Sequence, residues 1–110
     1  MTKSRYVLIQ SKSPRESEDV GYFYSLARDL AQAGNDVTFF LLQNGVMSAP
    51  TGANDEGFDL LLTTNAHVLA DDFSLSERGI NRETLKSGVS VSPIGPIVDC
   101  LTDGAKALWH

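Results

Sequence analysis

The sequence predicts an α/β domain, a three-layer sandwich around a mostly parallel sheet of about five strands. The first observation behind this is order: an apolar run at Arg5 to Gln10, an amphipathic helix ending near Ala33, and a second apolar run at Asp36 to Gln43. Strand, helix, strand at that length is what a right-handed parallel crossover requires. The second observation is that the strand candidates are nearly unbroken apolar runs, as expected of strands covered by helices on both faces. The third is punctuation, since Gly34, Gly79, Gly88 and Gly104 fall where helices are expected to end, and Gly45 where the second strand turns.

Arg5 to Gln10 leads into the polar loop Ser11-Lys12-Ser13-Pro14-Arg15-Glu16. Ser17 is the expected cap of the first helix, with Ser13 as the alternative if Pro14 takes the first helical position and Glu16 closes a capping box. The core face of that helix is expected at Val20, Phe23, Leu26, Ala27, Leu30 and Ala33, a three-and-four spacing that only a helix places on one side. Glu18 and Asp19 suit the positive end of its dipole, and Gly34-Asn35 ends it. Asp36 to Gln43 is the most strand-like segment and is expected at the centre of the sheet, with Asn44-Gly45 turning the chain at its carboxyl end.

Met47 to Gly57 is rich in small and polar residues and longer than a typical connection, which suggests a flap or a poorly ordered loop. Asn54 or Asp55 starts a short helix carrying Phe58, Leu61 and Leu62. Ala66 to Ala70 is the third strand. Ser74-Leu75-Ser76-Glu77 has the spacing of a capping box, so a helix is expected to start at Ser74 and to stop at Gly79. Asn81 is expected to cap a further helix over Arg82 to Ser87, closed by Gly88. Val89 to Ser92 reads as a fourth strand, Pro96 as the opening of a last helix from Ile97 to about Asp103, and Ala105 to Trp109 as a brief edge strand.

At 110 residues with 42% hydrophobic and 21% charged side chains, the expectation is one globular domain over residues 1–110. The net charge of −5 repels phosphate backbones and anionic membranes, so neither nucleic acid nor a membrane is an expected partner. Cys100 is the single cysteine, which excludes an internal disulfide framework. Without a signal peptide or long apolar span in the sequence, the cytoplasm is the expected location.

Ligands of open α/β sheets collect outside the carboxyl ends of the strands, which directs attention to the turn Asp71-Asp72-Phe73. Its adjacent carboxylates could hold a divalent cation or act as an acid/base pair, or they are a solvated turn whose charge suits the following helix. A phosphoacceptor aspartate at this place would need a second acidic cluster after the first strand, where the chain has Gln10-Ser11-Lys12. Ser11, Ser13 and Ser17 with Lys12 and Arg15 form a hydroxyl-rich, basic loop where flavodoxin-like folds bind phosphate, but no glycine is present to wrap one. His67 lies in a strand and His110 is the last residue, so no metal site is expected, and no cofactor either.

The order strand, amphipathic helix ending in Ala-Gly, Asp-Val-Thr-Phe-Phe-Leu-Leu-Gln-Asn-Gly-Val, then Val-Leu-Ala-Asp-Asp-Phe-Ser-Leu-Ser-Glu-Arg-Gly-Ile resembles the DsrE/DsrF-like family over nearly the whole chain. The resemblance implies a DsrEFH-like parallel sheet flanked by helices, assembly into homo-oligomers (trimers or hexamers), and, in the best-known branch, passage of persulfide sulfur between proteins. It also implies an acceptor cysteine near the end of the third strand, before the Arg-Gly pair. The matching stretch here, His67 to Phe73, contains no cysteine, and a carboxylate cannot form a persulfide.

Cys100 is therefore the sole candidate thiol. Its expected place beside Ile97, Val98 and Leu101 in the last helix makes it a buried, inert packing residue, although nearness to the helix N-terminus would lower its pKa. The function expected is that of an accessory or binding member lacking the usual acceptor cysteine, which takes a small ligand or a sulfur-relay partner protein at the strand ends. The candidate residues for this are Ser11, Ser13, Asn44, Asp71, Asp72, Phe73 and Arg78. The alternatives are a sulfurtransferase using Cys100 and a small-anion or nucleotide-binding domain using the Ser11–Ser17 loop.

Overall fold

The computed structural model describes residues 3–110. Five strands form one sheet: β1 (Arg5–Gln10), β2 (Asp36–Leu41), β3 (His67–Asp71), β4 (Val89–Ser92) and β5 (Lys106–Trp109). Every pairing is parallel, in the order β4-β3-β2-β1-β5. β2 is thus the central strand, as its apolar sequence predicts, and Phe39, Phe40 and Leu41 are fully enclosed.

The helices are α1 (Val20–Gln32), α2 (Glu56–Leu62), α3 (Asp72–Glu77) and α4 (Gly95–Thr102). Val20, Tyr24, Phe58, Leu61 and Leu75 from the first three pack with Leu8, Phe39, Leu41 and Val68 on one face of the sheet. On the other face Ile97 of α4 packs with Val7, Ile9 and Phe40. Since successive strand residues alternate faces, Leu8 and Val7 serve opposite layers. The connections after β1, β2 and β3 supply one layer and the connection after β4 supplies the other. Loops after the neighbouring strands β3 and β4 therefore leave toward opposite sides, and the carboxyl edge of the sheet stays open between them.

Several local expectations are corrected. α1 begins at Val20 rather than just after Ser17, with Asp19 at its N-cap making no side-chain cap bond. Ser13 and Glu16 instead close a turn of their own, in which the Glu16 carboxylate accepts from the Ser13 N–H at 2.8 Å and the Glu16 N–H bonds the Ser13 carbonyl at 3.0 Å. The buried stripe of α1 is Val20, Tyr24, Ala27 and Ala31, while Leu26 is exposed and Phe23 and Leu30 are half-buried. The stripe is rotated by one residue because Tyr24 can bury its ring and still find hydrogen-bond partners for its hydroxyl.

α3 starts at Asp72, and its cap is Asp71, whose carboxylate accepts from the Ser74 N–H at 2.9 Å. Ser74 is thus inside the helix rather than at its cap. The Arg82–Ser87 segment forms only a 3-10 turn over Arg82–Thr84, capped by Asn81 accepting from the Glu83 N–H at 2.9 Å. The segment expected to be a loose flap is tied down. Its first residues, Met47 and Ser48, close a 3-10 turn over Gln43–Ser48, and it continues through a bridge between Pro50 and Leu85. The Thr51 N–H reaches Thr84 O and the Lys86 N–H reaches Ala49 O, each at 2.8 Å.

Candidate functional site

At the carboxyl end of β2 the chain turns through Gln43, a non-glycine residue with φ +52°. That conformation disfavours an ordinary side chain. Its stabilisation comes from α3: the Ser74 hydroxyl accepts from the Gln43 N–H at 2.8 Å and donates to Asp71 Oδ2 at 2.6 Å. Asp71, only 4% exposed, thereby receives two hydrogen bonds from Ser74 and locks α3 onto the β2 turn. The turn expected to be solvated is half buried in this sense: Asp71 is enclosed, and Phe73 beyond it stands 67% exposed. Asp72 faces a separate cleft of about 280 Å³ with Leu75, Ser76, Ile80, Asn81 and Arg82.

Arg78 completes the same cluster. Its Nε and Nη2 donate to Asn44 Oδ1 at 3.0 and 2.9 Å, and its Nη1 donates to the Ser74 carbonyl at 3.2 Å. Asn44, Asp71 and Arg78 are thus brought together around Ser74. The bond from the Ser13 N–H, aided by the neighbouring Asn44 amide, holds the Glu16 carboxyl below its usual range. Gly45 lies so close to the Gln10 carbonyl that a Cβ there would overlap its oxygen, so the first two loops are in direct backbone contact.

Ser11 and Ser13 part company. The Ser11 amide and hydroxyl both donate to His110 O, at 2.8 and 3.0 Å, and its hydroxyl accepts from Trp109 Nε1 at 3.3 Å. Ser11 therefore stitches β1 to β5. Ser13 instead lines a pocket of about 400 Å³ with Pro14, Arg15, Met47, Ser48 and the stretch Gly52 to Asp55. A volume in this range suits a small organic molecule. With the Ser11 and Ser13 amides both spent internally, the serine loop offers no free row of N–H donors for a phosphate.

Sequence reading missed the floor of this pocket. Tyr24, 2% exposed, donates to Asp55 Oδ2 at 2.9 Å, and Ser48 donates to the same oxygen at 2.7 Å. The Tyr24 and Ser48 hydroxyl oxygens are 3.1 Å apart. Asp55 Oδ1 caps α2 by accepting from the Phe58 N–H at 3.3 Å. Burial raises the Tyr24 phenol above its ordinary value of 10.0, opposed in part by the Ser48 hydrogen bond and reinforced by the negative charge of Asp55. Asp55 was legible as a cap only as one of two choices, with Asn54. Nothing in the sequence linked it to Tyr24 and Ser48 across a loop expected to be loose.

Cys100 lies in the second half of α4, away from its N-terminus, and its carbonyl accepts from the Ala105 N–H at 3.1 Å. It is half-buried against the Val7, Ile9, Phe40 and Ile97 cluster, on the face opposite α1 to α3. The expected nearness of the thiol to the helix N-terminus is therefore corrected. The thiol is less enclosed than expected because α4 is a single short helix with open flanks. Among the described residues no three His, Cys, Asp or Glu side chains gather as a metal site, and no helix is long and apolar enough to cross a membrane.

Comparison with solved structures finds the same architecture in proteins of low sequence identity. The ychN protein of E. coli superposes with a TM-score of 0.86 at 20% identity, covering 97% of this chain and 99% of its own. A protein of unknown function from Methanobacterium thermoautotrophicum, MTH1491, gives 0.79 at 20% identity, covering 98% and 100%. BT1422 from Bacteroides thetaiotaomicron, also of unknown function, gives 0.73 at 16% identity, covering 96% and 95%. The chain shares their fold. No family model and no curated protein matches the sequence.

Proposed function

We propose that this chain is a binding protein, an accessory relative of the DsrE/DsrF-like sulfur-relay proteins that has given up sulfur acceptance. The observation that carries this reading is the occupancy of the strand ends. Where a carrier needs a thiolate, this chain has a closed set of acid and hydroxyl pairs, Asp71 with Ser74 and Asp55 with Ser48 and Tyr24. These groups make no nucleophile for a persulfide. The Asp55 set also holds together the second of the two loops that line a preformed pocket, which is what a binding site needs.

A homo-oligomer, trimer or hexamer, is part of this proposal. Ile94, Val98 and Leu101 recur along α4 at helical spacing and are all exposed, and Trp109 on the edge strand is 67% exposed. An unpaired edge strand and an apolar helix face are both better protected in an assembly. A cytoplasmic location belongs to the same reading.

Screening a small-molecule fragment library by amide NMR tests the binding reading. Binding compounds should shift the amides of Met47, Ser48 and Ala53 while leaving those of Asp99 and Cys100 in α4 unmoved. A library that perturbed no strand-end amide would contradict it.

A further inference from the structure

The pocket between the first two loops has a charge pattern as well as a volume. Asp55 Oδ2, in its lining, is filled by the two hydroxyl donors, but among the described residues Oδ1 accepts only the Phe58 N–H, at a long 3.3 Å. A carboxylate oxygen has room for a second donor. At its edge Arg15 is exposed and takes part in no ion pair among the described residues. Glu16, its neighbour in sequence, is turned onto the Ser13 amide. Beside these two charges, the apolar part of the lining is Pro14, Met47, Gly52 and Ala53, with Ser13, Ser48 and Asn54 as its neutral polar part, and the thioether of Met47 can adapt to an aliphatic chain.

Ligand classes can be weighed against this pattern. An inorganic anion would meet the Asp55 charge on entering, and a neutral hydrocarbon would cover Asp55 without supplying a donor. A simple alkylamine would satisfy Asp55 and leave Arg15 unmatched. A molecule with opposite charges and an aliphatic body complements both ends.

We infer that this pocket takes a small aliphatic amino-carboxylate, its ammonium donating to Asp55 Oδ1 and its carboxylate meeting Arg15. The inference rests on the binding reading above and narrows it to one ligand class. No covalent step is involved.

The test is an amide NMR titration of the full chain with norvaline and 5-aminovalerate, alongside valerate and pentylamine, which each lack one charge. The expected result is saturable shifts of Met47, Ser48 and Ala53 with at least one amino-carboxylate, and binding at least about tenfold weaker for valerate and for pentylamine. Arg15→Gln should bring the amino-carboxylate down to the affinity of pentylamine, and Asp55→Asn, which keeps a capping side chain, should bring it down to that of valerate. Equal binding of valerate or pentylamine by the unaltered protein would overturn the inference, as would no shift with either amino-carboxylate. If other fragments shifted these amides while the amino-carboxylates did not, the ligand class would be wrong and the binding reading would stand. If either variant fails to fold, the comparison of four probes on the unaltered chain still decides.

Discussion

Tyr24 donates to Asp55 Oδ2 at 2.9 Å, joining the middle of α1 to the cap of α2. This bond steadies the Asp55 side of the strand-end pocket, because Ser48, which also lines it, donates to the same oxygen. Tyr24→Phe removes a hydrogen bond to a charged group and should cost about 1.5 kcal/mol of stability, read as a lower urea midpoint. An unchanged midpoint would show that the hydroxyl contributes nothing.

The same tyrosine gives a pH signature. Its phenol is raised in the folded state above 10.0, while the unfolded chain ionises near that value. Above 10.0 the unfolded state therefore binds fewer protons than the folded one, and stability falls as pH rises. The contribution is complete below 10.0 and is lost progressively on the alkaline side. Urea midpoints taken below and above this value should fall more steeply for the unaltered protein than for Tyr24→Phe. Parallel lines would contradict the assignment.

Asp71 and Ser74 act as a unit. Asp71→Ala removes the cap of α3 and should cost about 0.5–2 kcal/mol. Ser74→Ala strips the Gln43 N–H of its partner and should cost about 1–3 kcal/mol. Because the two residues share the 2.6 Å bond, the double variant should lose less than the sum. Strict additivity in denaturant unfolding would mean that the bond carries no coupling.

Gly45→Ala should destabilise by about 1–3 kcal/mol or prevent folding, since the new methyl has only the Gln10 backbone to displace. Wild-type stability for this variant would mean that the first two loops are not held in contact.

The sheet was readable because β1, β2 and β3 are apolar on both faces, and glycine marks the ends of several helices, as at Gly34 and Gly104, both with positive φ. Asp55 and Asn81 were readable as caps for the same local reason. What sequence could not supply was tertiary. Ser74 has the pattern of a cap, yet Asp71 wins the position because its carboxylate reaches the Ser74 amide while the Ser74 hydroxyl is drawn to Gln43. Tyr24 falls outside the core face expected of the first helix, and only packing against a loop far along the chain reveals it as the anchor. Ser13, Asn44 and Arg78 were picked from the strand ends by topology, and the geometry divides them between the pocket and the Ser74 cluster.

Assembly is expected to run through α4. Val98→Asp places a charge in the exposed apolar stripe and should shift light scattering from the oligomer toward the monomer mass, without lowering the secondary structure seen by circular dichroism. A monomer mass for the unaltered protein at micromolar concentration would contradict the proposed assembly.

The proposed lack of sulfur acceptance is tested most directly by intact mass spectrometry of the native protein after incubation with a protein-bound persulfide donor. Cys100 is half-buried and packed on the α4 face, away from the strand-end pocket, so the account predicts no transferable sulfur on the folded chain, while the unfolded chain reacts with a thiol reagent. A native protein that gained a sulfur atom on Cys100 and handed it to an acceptor thiol would contradict the account and make this chain a sulfurtransferase.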